Sequence, residues 1–326
     1  MNKRVIIALT TIVIFLVAVL SFLSLPKKEP TSMASPYNKK IIVKINNLRV
    51  VDTELKKPIL TGQFGSILKT DRFLYVTQGS LGLKRINKDN GSQKLIYRLK
   101  RREEIGGVAV DSKGLIYIAI AKTVPLKGTG EAVVESTKAL IFNAQGEDIV
   151  KTVSLPKQAY RGLKISRDGQ LVASNLHGYA NQDKRGKIYF VDLSGVVKRT
   201  VDLGPRQRAA AFFDIDSNDN IYHSTLANAK PFYVKKYDTS GRLKNVRINK
   251  LVEYMRFVGI DGKLNIYISG DGYPQSFLYK YSPNGKLLKK QVFKAGLGFE
   301  SYKINIDQVF LLQTGKDNVI RLHRIQ

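Results

Sequence analysis

The amino-acid sequence predicts an all-β chain, a six-bladed β-propeller closed by an N-terminal strand and preceded by a single transmembrane helix. Three observations predict it. From Ile41 onward, short apolar runs alternate with turn residues about every ten positions, and no window keeps a helical period. A strand–turn–strand pattern built on Asp-x-x-Gly returns at intervals of roughly 45–55 residues. Ahead of these repeats lies one long uncharged apolar run. The chain therefore divides into residues 1–25 as a signal anchor, 26–40 as a proline-rich tether and 41–326 as the propeller.

The N-terminal elements come first. Met1-Asn2-Lys3-Arg4 is positive, and Val5–Leu25 carries no charge. As a helix that run would be roughly 31 Å long, enough to cross a hydrocarbon core. Its length and the lack of an A-x-A-like site favour a retained anchor over a cleaved signal. The expected location is a single-pass attachment to the cell membrane with the propeller outside; secretion after cleavage is the alternative. Pro26, Pro30 and Pro36, among small and charged residues, deny both helix and ladder and suit a tether.

The repeats follow. Val108–Ile118 reads as an apolar strand, an Asp111-Ser112-Lys113-Gly114 turn and a second strand. Leu163–Val172, Phe213–Tyr222 and Val258–Tyr267 share the form, and Ile67–Val76 and Tyr302–Phe310 carry weaker copies. Each of the first five is followed by a second hairpin, around Asn90-Gly91, Gln145-Gly146, Ser194-Gly195, Ser240-Gly241 and Asn284-Gly285. The sixth copy ends one strand short. The strand-like stretch Ile41–Val51 is expected to complete it and so remove two open edges.

Gly106-Gly107-Val108-Ala109-Val110-Asp111-Ser112-Lys113-Gly114-Leu115-Ile116-Tyr117-Ile118-Ala119, with Ile141-Phe142-Asn143-Ala144-Gln145-Gly146, resembles an NHL-type repeat. The match is close there, partial in the next three copies, and only a strand-and-turn pattern in the first and last. The resemblance spans nearly all of Ile41–Gln326 and implies a fold, not an activity. NHL-like and related six-bladed families include protein- and RNA-binding modules, lyases and metal-dependent hydrolases.

In such propellers the ligand usually meets the mouth of the channel, where inner strands begin and second strands end. Aligning the copies places Arg161, Arg256 and Glu300 at the first position, and Asn175 and Asp271 at or next to the second. His177 lies two residues beyond Asn175, and Arg208 lies in a loop feeding the same rim. The forked guanidinium groups of Arg161, Arg208 and Arg256 suit carboxylate or phosphate. No cofactor is expected. The alternative is a divalent metal such as calcium on Asn175, Asp271 and Glu300, which offer oxygen ligands. His177, His223 and His323 are the chain's three histidines, and no two have metal-ligand spacing. There is no G-x-S-x-G elbow, P-loop or dinucleotide fingerprint. Lys122–Lys138, containing Gly128-Thr129-Gly130, reads as a long loop inserted into the repeat.

Charge bounds the partners. Lys and Arg number 54 against 26 Asp and Glu, a net +28, spread along the chain without a basic tail. Such a field attracts polyanions. With no cysteine there is no disulfide framework, thiolate site or lipidated-cysteine anchor. The expectation is a membrane-anchored, non-catalytic binding or scaffold module outside the membrane. Its partners would be the membrane through the N-terminal helix, and an anionic cell-surface polymer, anionic lipid or another protein. Nucleic acid is the weakest candidate, since an outward-facing anchor keeps it out of reach. The alternative is an enzyme, a lyase or metal-dependent hydrolase, acting at the channel mouth.

Overall fold

The structure is a computed structural model of the 326-residue chain. It describes residues 46–47, 50–53, 59–60, 64–69 and 72–325 apart from short stretches, the longest being 176–184, 206–212 and 225–230. All of these lie in one compact unit, Lys44–Gln326.

Three short strands come first: β1 (Asn46–Asn47), β2 (Val50–Thr53) and β3 (Ile59–Leu60). Five blades follow, each made of four consecutive antiparallel strands. The first comprises β4 (Phe64–Lys69), β5 (Phe73–Gln78), β6 (Gly82–Asn87) and β7 (Gln93–Arg98). The second comprises β8 (Glu103–Val110), β9 (Ile116–Pro125), β10 (Ala132–Phe142) and β11 (Ile149–Ser154). The third holds β12 (Tyr160–Ile165), β13 (Leu171–Asn175), β14 (Arg185–Val191) and β15 (Val197–Pro205). The fourth holds β16 (Phe213–Ile215), β17 (Ile221–Ser224), β18 (Phe232–Tyr237) and β19 (Leu243–Ile248). The fifth holds β20 (Tyr254–Ile260), β21 (Ile266–Gly272), β22 (Gln275–Tyr281) and β23 (Leu287–Lys294). The last sheet is a three-strand meander, β24 (Gly298–Asn305), β25 (Gln308–Thr314) and β26 (Val319–Ile325), which β2 and β3 join by pairing with β26. The inner strands neighbour one another in turn, and β24 returns to β4.

Two parts of the sequence-based expectation are corrected. Six equal blades closed by one N-terminal strand are not formed; five blades are complete and the last sheet is composite. The closing segment is divided. Asn46 and Asn47 pair in parallel with Lys289 and Lys290 of β23, whereas Val50–Thr53 pairs antiparallel with β26. Both β23 and β26 would otherwise expose unpaired backbone, and one short strand cannot cover two edges. The expected transmembrane helix has no counterpart among the described residues, where no helix is long and apolar enough to cross a membrane. Val5–Leu25 itself lies outside them.

The core lies between blades and follows from period-two alternation. On β9, Ile116, Ile118 and Ile120 face the first blade and pack with Tyr75, Leu83 and Phe142. Tyr117 and Ala119 face the third, with Leu163, Ala173 and Tyr189. Both faces of a strand are thus buried, which gives continuous apolar runs where a half-solvated sheet would alternate. Small residues allow close approach at the centre. A Cβ on Gly106 would lie 2.2 Å from the Tyr160 carbonyl oxygen, and one on Gly107 2.8 Å from the Leu163 nitrogen.

The recurrent Asp is a turn lock. Asp111 Oδ1 accepts from the Lys113 and Leu115 N–H groups at 2.9 Å each, and Oδ2 from the Tyr117 hydroxyl at 2.9 Å. Asp216 repeats this with Asn218, Asn220 and Tyr222, and Asp261 with Lys263, Asn265 and Tyr267. Burial pushes the Asp216 carboxyl up, but hydrogen bonds from Asn220, Asn218 and Tyr222 outweigh it and hold the group below the usual carboxylate range.

Lys122–Lys138 is not a loop. β9 and β10 continue as a hairpin in which Val124 pairs with Val133 and Pro125 with Ala132, leaving a turn around Gly128. The β-branched Thr123, Val124, Val133 and Val134 favour extended backbone over the loop that the glycines suggest.

Candidate functional site

Strand register shows what the channel mouth contains. Tyr160 pairs with Asn175, Tyr254 with Asp271, Phe64 with Gln78 and Phe299 with Gln313. The starts of the inner strands and the ends of the second strands therefore meet at one end of each blade. Arg161 is the unpaired residue of a bulge between the Tyr160–Asn175 and Gly162–Ser174 pairs. A bulge re-aims a side chain out of the ladder, and Arg161 is exposed. Gly106 occupies the equivalent bulge in the second blade. Arg256, opposite Ser269 on β20, is exposed as well, close to the exposed Tyr254.

The remaining candidates divide. Asp271 lies at the end of β21, and Glu300 pairs with Leu312 on β24, so backbone register places both at the mouth end of their blades. His177 and Arg208 lie outside the described residues. Asn175 is buried, and its carboxamide is engaged at both ends. Nδ2 donates to the Arg185 carbonyl at 3.0 Å, and Oδ1 accepts from the Lys187 N–H at 2.6 Å. The side chain thus holds the start of β14 against the end of β13. That commitment makes the side chain a structural clamp between two strands; no group of three metal-ligating side chains occurs among the described residues, which do not include the side chains of Asp271 and Glu300.

Alignment missed Asp214. It lies on β16 with its side chain 4% exposed, 3.7 Å from Lys164 Nζ on β12. Its Oδ2 accepts from the Ile260 N–H on β20 at 2.9 Å. One carboxylate thus links three successive inner strands. The signal lay in the repeat, because Ala109, Lys164 and Asp214 hold the same position between two apolar residues. His223 is fully buried and stacked on Tyr237 with centroids 5.6 Å apart. Burial, aided by Lys235, pushes its pKa down to about 4.

Charge is distributed unevenly between the inner and outer strands. The inner strands of the five blades carry Lys69, Arg161, Lys164 and Arg256 against Glu103, Glu104 and Asp214. The outer strands carry Lys94, Arg98, Lys151, Lys198, Arg199, Lys244, Arg247, Lys289, Lys290 and Lys294. Their single acid is Asp202, which Arg185 Nε pairs at 2.6 Å. Edge protection explains charge on outer strands, but it works with either sign. A rim of one sign requires a further reason.

Solved structures of similar shape report the fold alone. Virginiamycin B lyase from Staphylococcus aureus aligns with a TM-score of 0.51 at 15% identity, covering 83% of this chain and 88% of that one. The β-propeller domain of Myceliophteria thermophila Cps50 (Swd1) also aligns at 0.51, with 9% identity and coverage of 84% and 100%. The fold is a β-propeller. Neither a protein-family model nor a curated protein matches the sequence.

Proposed function

We propose that this propeller is a non-catalytic binding module for an anionic cell-surface polymer, carried on the outside of a membrane. The observation that supports it most directly is the cationic excess of the rim, on which Arg98, Lys151, Lys244 and Arg247 are exposed, with Lys94 and Lys198 exposed but paired with Glu147 and Asp192. Cations spaced around a rigid ring offer many weak contacts to a polymer and few to a small ion. Affinity then comes from counterion release and from several simultaneous contacts. Arg161 and Arg256 at the mouth extend the same chemistry, and the repeat pattern of the sequence would add Arg208, since guanidinium forks bind carboxylate or phosphate in pairs. The NHL-like residues of the second blade agree with this reading, because that resemblance includes binding modules. The charge-then-apolar order of residues 1–25 would place the domain where wall polymers and anionic headgroups are the available polyanions.

The test is a titration of the full-length protein with polyphosphate over a range of salt concentrations. Affinity should fall linearly on a log–log plot. Replacing Lys151, Lys198, Lys244 and Arg247 with Gln should flatten the slope by roughly one unit per lost contact. Equal slopes for wild type and rim variant would remove the rim from the interface. A matching variant with Gln at Arg161, Arg208 and Arg256 measures the share of the mouth. Protease added to intact cells should cut the domain, and full protection would reverse its orientation.

A further inference from the structure

At the end of the blades opposite the mouth, neighbouring blades leave clefts between their turns, and two of these differ in how their cations are matched. The cleft between the fourth and fifth blades has a volume of about 320 Å³ and is lined by Lys236, Asp238, Arg242 and Lys244. Its charges are largely satisfied: Arg242 Nε lies 3.1 Å from Asp238, and Lys236 Nζ lies 3.7 Å from Asp216. The cleft between the first and second blades is larger, about 510 Å³, and includes Arg72, Phe73, Arg85, Ser92, Gln93 and Glu147. Here the one carboxylate is already used. Lys94 Nζ sits 2.9 Å from Glu147 and holds that carboxyl below its ordinary range.

Neither Arg72 nor Arg85 forms a close ion pair among the described residues, although Arg85 adds to Lys94 in lowering the Glu147 carboxyl. Both lie over a single ring, their guanidinium carbons 5.3 and 4.5 Å from the Phe73 centroid. Arg85 also donates to the Gln145 carbonyl across the blade boundary. A ring face orients a guanidinium but leaves its in-plane N–H donors available. Two such forks converging on one ring form a preorganised oxyanion clamp. The volume falls within the range of small-molecule sites and exceeds what a bare oxyanion fills. Ser92 and Gln93 line the remainder with groups that hydrogen-bond hydroxyls.

We propose that this cleft binds a phosphorylated polyol or sugar, either free or as the repeat unit of a polymer. The phosphate meets Arg72 and Arg85, and the hydroxylated body lies toward Ser92 and Gln93. The inference extends the anion-binding reading to a second site, and it stands on the geometry of the cleft rather than on rim charge.

Calorimetric titration of the full-length protein with glycerol phosphate tests it, alongside inorganic phosphate and a glycerol-phosphate polymer. Glycerol phosphate should bind saturably and more tightly than inorganic phosphate. Arg72→Gln should weaken it by about 10- to 100-fold. The melting temperature should stay unchanged, because the ring of Phe73 is the only described partner of Arg72. Arg85→Lys, which keeps the charge and loses the fork, should weaken binding less than Arg72→Gln. Both sources of the ligand support the site: per phosphate, equal affinity for monomer and polymer indicates a free metabolite, and tighter polymer binding indicates the repeat unit. Absence of saturable glycerol phosphate binding overturns the proposal, as does affinity that neither variant changes. Rim variants that lose polyphosphate while keeping glycerol phosphate separate this site from the rim.

Discussion

The inner strands and the outer rim share one sequence pattern but differ in chemistry. Inner strands are packed from both sides, come close enough to need Gly106 and Gly107, and bury their acid Asp214 against backbone from the next blade. Outer strands leave side chains such as Ile149, Val150 and Val197 about half exposed and carry an excess of cations, of which Lys94 and Lys198 are paired with turn carboxylates. The difference teaches that stability and partner choice are separated radially. Near the axis a change is felt through packing, whereas at the rim it is felt through charge. The closing strands are the exception, since β1 and β2 add their backbone to the outer strands β23 and β26.

That exception provides the hardest test of the comparison. Deleting residues 41–60 removes β1, β2 and β3 and leaves two outer edges unpaired. The melting temperature should fall by roughly 10 °C or more, corresponding to several kcal/mol for a domain of this size. Deleting residues 26–35 should have no such effect. Equal melting temperatures for the two truncations would mean that the rim contributes nothing to closure.

A paired substitution sharpens the radial contrast. Leu163 is buried on β12, where it packs with Tyr160, Leu171 and Tyr189. Leu163→Ala should cost about 2–5 kcal/mol in urea unfolding, through lost transfer energy and a residual cavity. Val150 on β11 is 55% exposed, and Val150→Ala should stay within about 0.5 kcal/mol. Similar losses at both positions would abolish the distinction.

A further effect depends on pH. His223 has a folded pKa of about 4, below its ordinary 6.5. Between these values the unfolded chain binds the extra proton, so stability rises with pH across the window and is lost as pH falls from 6.5 toward 4. The loss should approach about 3 kcal/mol, and His223→Phe should remove this part of it. The turn carboxylates Asp216 and Asp261, also held low, add their loss at lower pH still. Wild-type stability that stays flat from pH 6.5 to 4 would show that His223 is hydrated in solution.

The sequence by itself determined the all-β class, the hairpin spacing and the positions of the turns, because those depend on local periods and on the Asp, Asn and Gly chemistry of turns. It also aligned Arg161 with Asn175 and Arg256 with Asp271 at one end of their strands, since a repeat carries its register with it, and the observed pairs are Tyr160–Asn175 and Tyr254–Asp271. It misread residues 122–138 because paired β-branched residues outweigh nearby glycines once a partner strand exists. It could not tell that Asn175 spends its carboxamide on Arg185 and Lys187, because a side chain's partners ten residues away depend on how the chain returns. Only the tertiary structure decided that the N-terminal segment serves two sheets, that Asp214 bridges to β20, and that Arg72 and Arg85 share one ring. Each of these is a contact between blades, and the distance between residues of different blades is set by closure of the whole ring rather than by any local period.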